Sequence, residues 1–204
     1  MSPVFAQENS SEPTPPTIEI QEYEGQKLGS TQDFRENSIK GVQNVDMNRY
    51  RLVIDGLVEK NLSYTYDELQ KMPHQKKVIT LICVEGWYVT ALWEGLPLIS
   101  LIKDTVLKNE TSTVIFHSVD GYTTSMPLDY IQERNIMIAD KINGIPLPPS
   151  QGYPFILVAE EKWGYKWARW INRIELSDNP NLRGFWEERG YSNKGDIHSS
   201  MYGD

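Results

Sequence analysis

The sequence predicts one α+β domain of mixed β-sheets with short helices. Three observations carry this expectation. Turn residues punctuate many short β-branched runs. The helical stretches between them are few and brief. Strands and helices do not alternate in the regular βαβ order that a parallel sheet requires. At 204 residues with a single cysteine, the chain can bury a core without disulfide staples.

Residues 1–20 are rich in Ser, Glu, Pro and Thr and lack apolar periodicity, which predicts a disordered leader before a domain over 21–204. Tyr50–Val58 alternates apolar and polar residues and turns at Asp55-Gly56, the pattern of a strand. Thr65 and Glu68 have capping-box spacing at the start of a short helix that Pro73 closes. Lys76–Cys83 is a continuous β-branched run and predicts a buried strand. Leu98, Leu101, Ile102 and Val106 recur at spacings of three and four, as in a helix. Thr113–Leu128 reads as two strands around Asp120-Gly121, and 128–134 as a helix. Within 136–149 a hairpin turns at Asn143-Gly144 and runs into a proline-rich loop. Tyr153–Glu161 predicts another buried strand, and the last strand lies within Arg169–Leu176.

Composition excludes some functions. A formal charge of -8 argues against a nucleic-acid binder, which needs a basic field. No apolar run approaches the ~20 residues that cross a bilayer. One cysteine rules out multi-cysteine zinc and iron–sulfur sites. Val4-Phe5-Ala6 before Gln7 resembles the end of a secretory signal cleaved after Ala6, which would place the protein in the periplasm or another extracytoplasmic space. An ordinary leader on a cytoplasmic protein is the equal alternative.

Cys83 ends its apolar run and is followed at once by "VEGW". A free cysteine is most often a small buried hydrophobe, yet a strand end can also present a reactive group to a crevice. A nucleophilic role needs a base, and His74, His117 and His198 share no local motif with it. A soft thiolate could instead bind a redox metal held mainly by a cofactor. These readings stay open on the cysteine alone.

"CVEGW" at Cys83–Trp87, with "WEGLPL" at Trp93–Leu98, resembles the core signature of the sulfite-oxidase-type molybdopterin oxidoreductases. The likeness is greatest to single-domain bacterial and archaeal members, including the periplasmic reductase of protein methionine sulfoxide. Glu22–Asp46 resembles the family's pterin-contacting segment, Gly144–Leu176 its Pro-Pro loop and "GYKWAR"-like turn, and Arg183–Asn193 its closing segment. The family fold is α+β, with mixed sheets around a buried cofactor.

The resemblance implies a molybdenum–molybdopterin cofactor, with Cys83 as metal ligand beside the two pterin sulfurs and deprotonated by the metal. It places Arg35 and Asn37 on the pterin or its phosphate, Ser118 facing the cofactor, and Gln151 at an amide-bearing position. Lys166 and Arg169, with the backbone of Trp167 and Ala168, would clamp the phosphate. Glu85 would share the side of Cys83 on an extended chain, as a proton relay or as the partner of a pterin-binding arginine. Trp87 and Trp93 read as packing residues. Basic residues at 162, 166, 169 and 173 fall at helical spacing, but the resemblance favours a glycine-containing loop entering a strand. Ile156 departs from the pattern, since relatives often carry an arginine there; Arg173 is a candidate substitute.

The implied activity is two-electron oxygen-atom transfer, inclined towards reduction of a sulfoxide-type substrate because no arginine-rich continuation surrounds "CVEGW". No CxxCH haem attachment is present. Electrons would therefore pass through a separate protein, a membrane cytochrome being one candidate. The alternatives are an oxidase of sulfite or another small molecule, a metal-free cysteine enzyme, and a non-catalytic binding domain.

Overall fold

The structure is a computed structural model and describes residues 18–203. A small hairpin of β1 (Glu22–Tyr23) and β2 (Gln26–Lys27) leads to β3 (Leu52–Gly56), β4 (Leu62–Tyr64), the helix α1 (Tyr66–Gln70), β5 (Gln75–Ile82) and β6 (Tyr88–Pro97). Next come α2 (Leu98–Ile102), β7 (Thr113–Ser118), β8 (Thr123–Pro127) and α3 (Leu128–Glu133). The chain continues with β9 (Met137–Ile142), β10 (Ile145–Pro146), β11 (Ile156–Val158) and β12 (Ile171–Ser177).

The strands form two five-stranded sheets. One runs β10-β9-β6-β5, with β11 also on β9; the other runs β4-β3-β12-β7-β8. Among the described strands β12 and β3 alone pair in parallel, as expected for an α+β chain without βαβ repeats. Leu52, Ile54, Phe116 and Ile174 from one sheet join Ala91, Trp93 and Ile138 from the other in one buried cluster. Each large apolar side chain buried there contributes about 1.5–3 kcal/mol. The sheets are tied by Leu157 N–H to Ala168 O at 2.8 Å and Ile171 N–H to Phe155 O at 3.1 Å.

Local chemistry fixes several boundaries. Thr65 Oγ1 accepts from the Glu68 N–H at 3.2 Å, and the Glu68 carboxylate accepts from the Thr65 N–H at 2.8 Å, completing the predicted capping box. The helix at Leu98 is shorter than predicted. After Ile102 the chain tightens into a 3₁₀ turn, and Val106, at φ +54°, stops it.

β5 is not the buried strand that its composition predicts. Apart from a single bridge at Ile82, it pairs among the described strands with β6 alone, and of its residues only Leu81 is buried. β6, to which the sequence pattern assigns no element, is the ten-residue spine of its sheet. With β5 on one side and β9 on the other, and both faces covered at 91–93, it lacks the period-two pattern of a half-exposed strand.

The predicted leader lies, through residue 17, outside the described residues. Its last residues are fixed to the body. Glu19 accepts from Thr31 N–H (2.9 Å), Thr31 Oγ1 (2.6 Å) and Asn143 Nδ2 (3.0 Å), while Ile20 N–H donates to Asn143 O at 2.8 Å. The ordered body therefore begins before residue 21.

Two outcomes test this packing. A Cβ at Gly95 would fall 2.0 Å from Ile138 O and 2.5 Å from Ala139 Cα. Gly95→Ala is therefore expected to cost about 3 kcal/mol and lower the thermal midpoint by roughly 5–10 °C; an unchanged midpoint contradicts the β6–β9 contact. Burial opposes the Glu19 charge, but hydrogen bonds from Thr31, Asn143 and Ser30 outweigh it and hold the carboxyl below 4.5. Its stabilisation is complete above that value and lost as pH falls through the lower folded one. The Thr31 and Asn143 amide resonances should titrate together with a midpoint below 4.5, and a midpoint at or above it refutes the clip.

Candidate active site

β5 ends at Ile82, and the next five residues form a closed turn. Cys83 N–H donates to Trp87 O at 2.9 Å and Gly86 N–H to Cys83 O at 3.1 Å. Gly86 takes φ +84°, a conformation open to glycine at little cost. The turn carries the chain into β6 and corrects one expectation: Glu85 does not lie on an extended strand. Its carboxylate accepts from Trp87 Nε1 at 3.1 Å rather than from an arginine.

A second segment presses on this turn. Ile82 bridges Trp163 in parallel, and a Cβ on Gly164 would sit 3.3 Å from Cys83 Cα. Residues 163–171 form the predicted glycine-containing loop, with a 3₁₀ turn at Gly164–Lys166 before β12. The close approach brings Trp167 and Arg169 beside Cys83.

Cys83 is only 4% exposed, yet it lines two adjoining cavities. The larger, about 140 Å³, is far beyond the ~10–15 Å³ that one water needs. Asn37, Gly164, Trp167 and Arg169 also line both. Arg169 Nη2 donates to Asn37 Oδ1 at 2.7 Å, which leaves the Asn37 amide to donate to Cys83 Sγ at 3.5 Å. Arg169 Nη1 is bound by Glu36 at 2.9 Å and Ser150 O at 3.0 Å. Burial pushes the Cys83 thiol up; Glu85's charge adds to this, while its N–H, Asn37 and Arg169 oppose it. The thiol is thus neutral at pH 7 until a cation binds it.

Of the residues singled out from sequence, Asn37, Glu85 and Arg169 stand with Cys83 on the larger cavity. Arg35, Gln151 and Trp167 stand with it on the smaller one. Three do not join them. Lys166 is not a free phosphate clamp: its ammonium is 1% exposed, 2.6 Å from the Glu187 carboxylate and 3.0 Å from Ser125 O. Ala168 is fully buried, with its carbonyl bound by Leu157 and its N–H donating to Lys166 O. The Ser118 hydroxyl is buried without a partner among the described residues and lines neither cavity.

Ile156, the departure from the family pattern, lines the smaller cavity. Arg173 does not replace it, because it binds Asp55 at 2.9 Å and Glu175 at 2.9 Å in the other sheet. Trp87, read as packing, lines the smaller cavity, whereas Trp93 is fully buried.

Residues that the sequence reading missed complete the larger cavity: Asp120, Tyr122, Tyr165, Trp186 and Tyr191. Asp120 and Tyr122 sit on the β7–β8 turn, and Trp186 and Tyr191 on the closing segment. The aromatic density of "GFWEERGY" was their available signal.

A metal at Cys83 must bring most of its own ligands, because among the described residues no cluster of three or more His, Cys, Asp or Glu could hold one. One soft thiolate at the junction of two cavities, with arginine and amide donors around it, fits a molybdenum group that carries its own sulfurs. A metal-free cysteine nucleophile fits less well, since no histidine lines either cavity. His117 is held by Glu175 at 2.8 Å, and His74 by Met72 O at 2.8 Å.

The family described as the oxidoreductase molybdopterin binding domain matches residues 39–186. The chain is 30% identical over 152 residues to the uncharacterized oxidoreductase YuiH of Bacillus subtilis, covering 74% of this chain and 76% of that one. It is 29% identical over 148 residues to the protein-methionine-sulfoxide reductase catalytic subunit MsrP of Gluconobacter oxydans, covering 64% of this chain and 47% of that one. It thus spans about three quarters of the first relative's length but under half of the second's. Among solved structures it superposes on the sulfane dehydrogenase SoxCD of Paracoccus pantotrophus with a TM-score of 0.65 at 24% identity, covering 68% of this chain and 41% of that one. That likeness supports the fold.

The Lys166–Glu187 pair ties the loop to the closing segment. Lys166→Met strands a buried carboxylate and is expected to cost about 3–5 kcal/mol in denaturant unfolding. Lys166→Met with Glu187→Leu should recover most of the loss. A double variant no more stable than the single one contradicts a paired, buried Lys166.

Proposed function

This chain belongs to the oxidoreductase molybdopterin binding domain family and is a molybdopterin-dependent oxidoreductase, and we propose that it reduces a sulfoxide-type substrate. The observation that carries this reading is the charge of the larger cavity. Its lining holds two carboxylates, Glu85 and Asp120, and one cation, Arg169. That cation already faces Glu36 at 2.9 Å. An anion such as sulfite meets like charge there, whereas a neutral sulfoxide does not. Tyr122, Tyr165, Trp186 and Tyr191 provide aromatic walls that favour the thioether side of such a substrate. The name of the MsrP relative points the same way.

When bound, the molybdenum–pterin group supplies the two-electron oxygen-atom chemistry. The chain's own residues hold and shield it. Cys83 is the metal ligand; Arg35, Asn37, Gln151 and Arg169, with Trp167, hold the pterin side. Lys166 and Ala168 act behind them, fixing the loop rather than touching the group. In the proposed reaction, R₂SO + 2H⁺ + 2e⁻ → R₂S + H₂O, the electrons come from a separate redox protein, for which a membrane cytochrome is the class we favour. Glu85 lies within the thiol turn and on the larger cavity, and is assigned the proton relay. No described helix is long and apolar enough to cross a membrane. Extracytoplasmic placement belongs to this proposal and rests on Val4-Phe5-Ala6, outside the described residues.

The test compares methionine sulfoxide reduction with sulfite oxidation by the cofactor-loaded protein. The sulfoxide should have the higher kcat/KM, and a preference for sulfite overturns the reading. Glu36→Gln frees the Arg169 charge and should improve kcat/KM for sulfite relative to sulfoxide by about 3- to 10-fold; no change means that Arg169 does not govern anion access.

A further inference from the structure

The closing segment does not end at the cavity wall. After Tyr191 the chain turns at Asp196, whose carboxylate accepts from His198 N–H at 2.8 Å. It then runs back antiparallel, so that Tyr202 bridges Tyr191. Ser192 N–H donates to Met201 O at 2.9 Å, and Gly203 N–H to Gly190 O at 3.1 Å. The turn is held by the Tyr202 N–H on Ser200 Oγ at 3.1 Å.

This return places one aromatic ring on another. The Tyr202 and Tyr191 centroids are 5.0 Å apart, while on its other sides Tyr191 meets Tyr165 at 5.0 Å and Trp186 at 5.6 Å. Tyr165, Trp186 and Tyr191 all line the larger cavity; Tyr202 does not. Tyr202 is 60% exposed, so core burial does not explain its ordered position. What it does is pack on Tyr191 on the side opposite the cavity-lining neighbours of that ring.

We propose that Tyr202 is a positioning residue: its ring and the returning 198–203 segment hold Tyr191 in the wall of the Cys83 cavity and so set the width of the opening. The wall's role towards a sulfoxide rests on the function proposed above; the wall itself does not.

Two readouts on the full chain test the proposal. In the cofactor-loaded protein, Tyr202→Ala should raise KM for methionine sulfoxide about fivefold with kcat within twofold, the order expected from losing one ring–ring contact. Tyr202→Phe should restore KM to within twofold. In cofactor-free protein, Cys83 is the only cysteine, so its alkylation by a maleimide reports the opening directly. That rate should rise about fivefold in Tyr202→Ala and not in Tyr202→Phe, with thermal midpoints unchanged. Equal alkylation rates in wild type and Tyr202→Ala overturn the proposal. So does a Tyr202→Ala variant whose midpoint falls in step with both kinetic constants, which would make Tyr202 merely structural. Faster alkylation in Tyr202→Ala, with no sulfoxide turnover by wild type, upholds the wall and overturns the sulfoxide reading instead.

Discussion

The site depends on one backbone contact: the bridge between Ile82 at the end of β5 and Trp163 at the start of the 163–171 loop. Gly164 makes the approach possible, because any larger residue would press on Cys83 Cα. The contact sets the strand-end thiol against Trp167 and Arg169, which arrive from about eighty residues later in the chain. The closed turn from Cys83 to Trp87 then prevents the thiol from following β5 into the sheet. The cysteine is therefore nearly buried and still faces two cavities.

Electrostatics follow from the same packing. Arg169, a cation on both cavities beside Cys83, is committed to Glu36 and Asn37, and through Asn37 it orients an N–H donor at the sulfur. Lys166, three residues earlier, is drawn the other way into a buried pair with Glu187. Such pairs are weak evidence for net stability but costly to break from one side. Here the pair fastens the closing segment to the loop and thereby carries Trp186 and Tyr191 to the cavity. Two basic residues on one loop thus have separate tasks, one facing the site and one anchoring its wall.

Local signals made much of the fold legible. The Thr65–Glu68 capping box and the Asp120-Gly121 and Asn143-Gly144 turns each describe interactions completed within a few residues, while the alternation over Arg169–Leu176 reports a strand whose two partners, β3 and β7, lie far away in the chain. β6 was not legible, because a central strand covered on both faces has no alternation to display. β5 was misjudged for the converse reason: β-branched composition reports strand propensity, not whether a second neighbour covers the edge. At the site, Cys83, Arg169 and Asn37 were singled out through resemblance of their segments, and the fold brings them together on the two cavities. Lys166 was assigned the wrong partner because its true one, Glu187, is set by a contact twenty-one residues away. The aromatic wall was missed because its members come from three separate segments that only tertiary packing unites.

We propose that Cys83 supplies the protein's sulfur to a molybdenum centre. Molybdenum-edge X-ray absorption of the cofactor-loaded protein, compared with Cys83→Ser, counts the sulfurs. The variant should retain pterin but show roughly one fewer sulfur neighbour at the metal. An identical sulfur count in both proteins would contradict it.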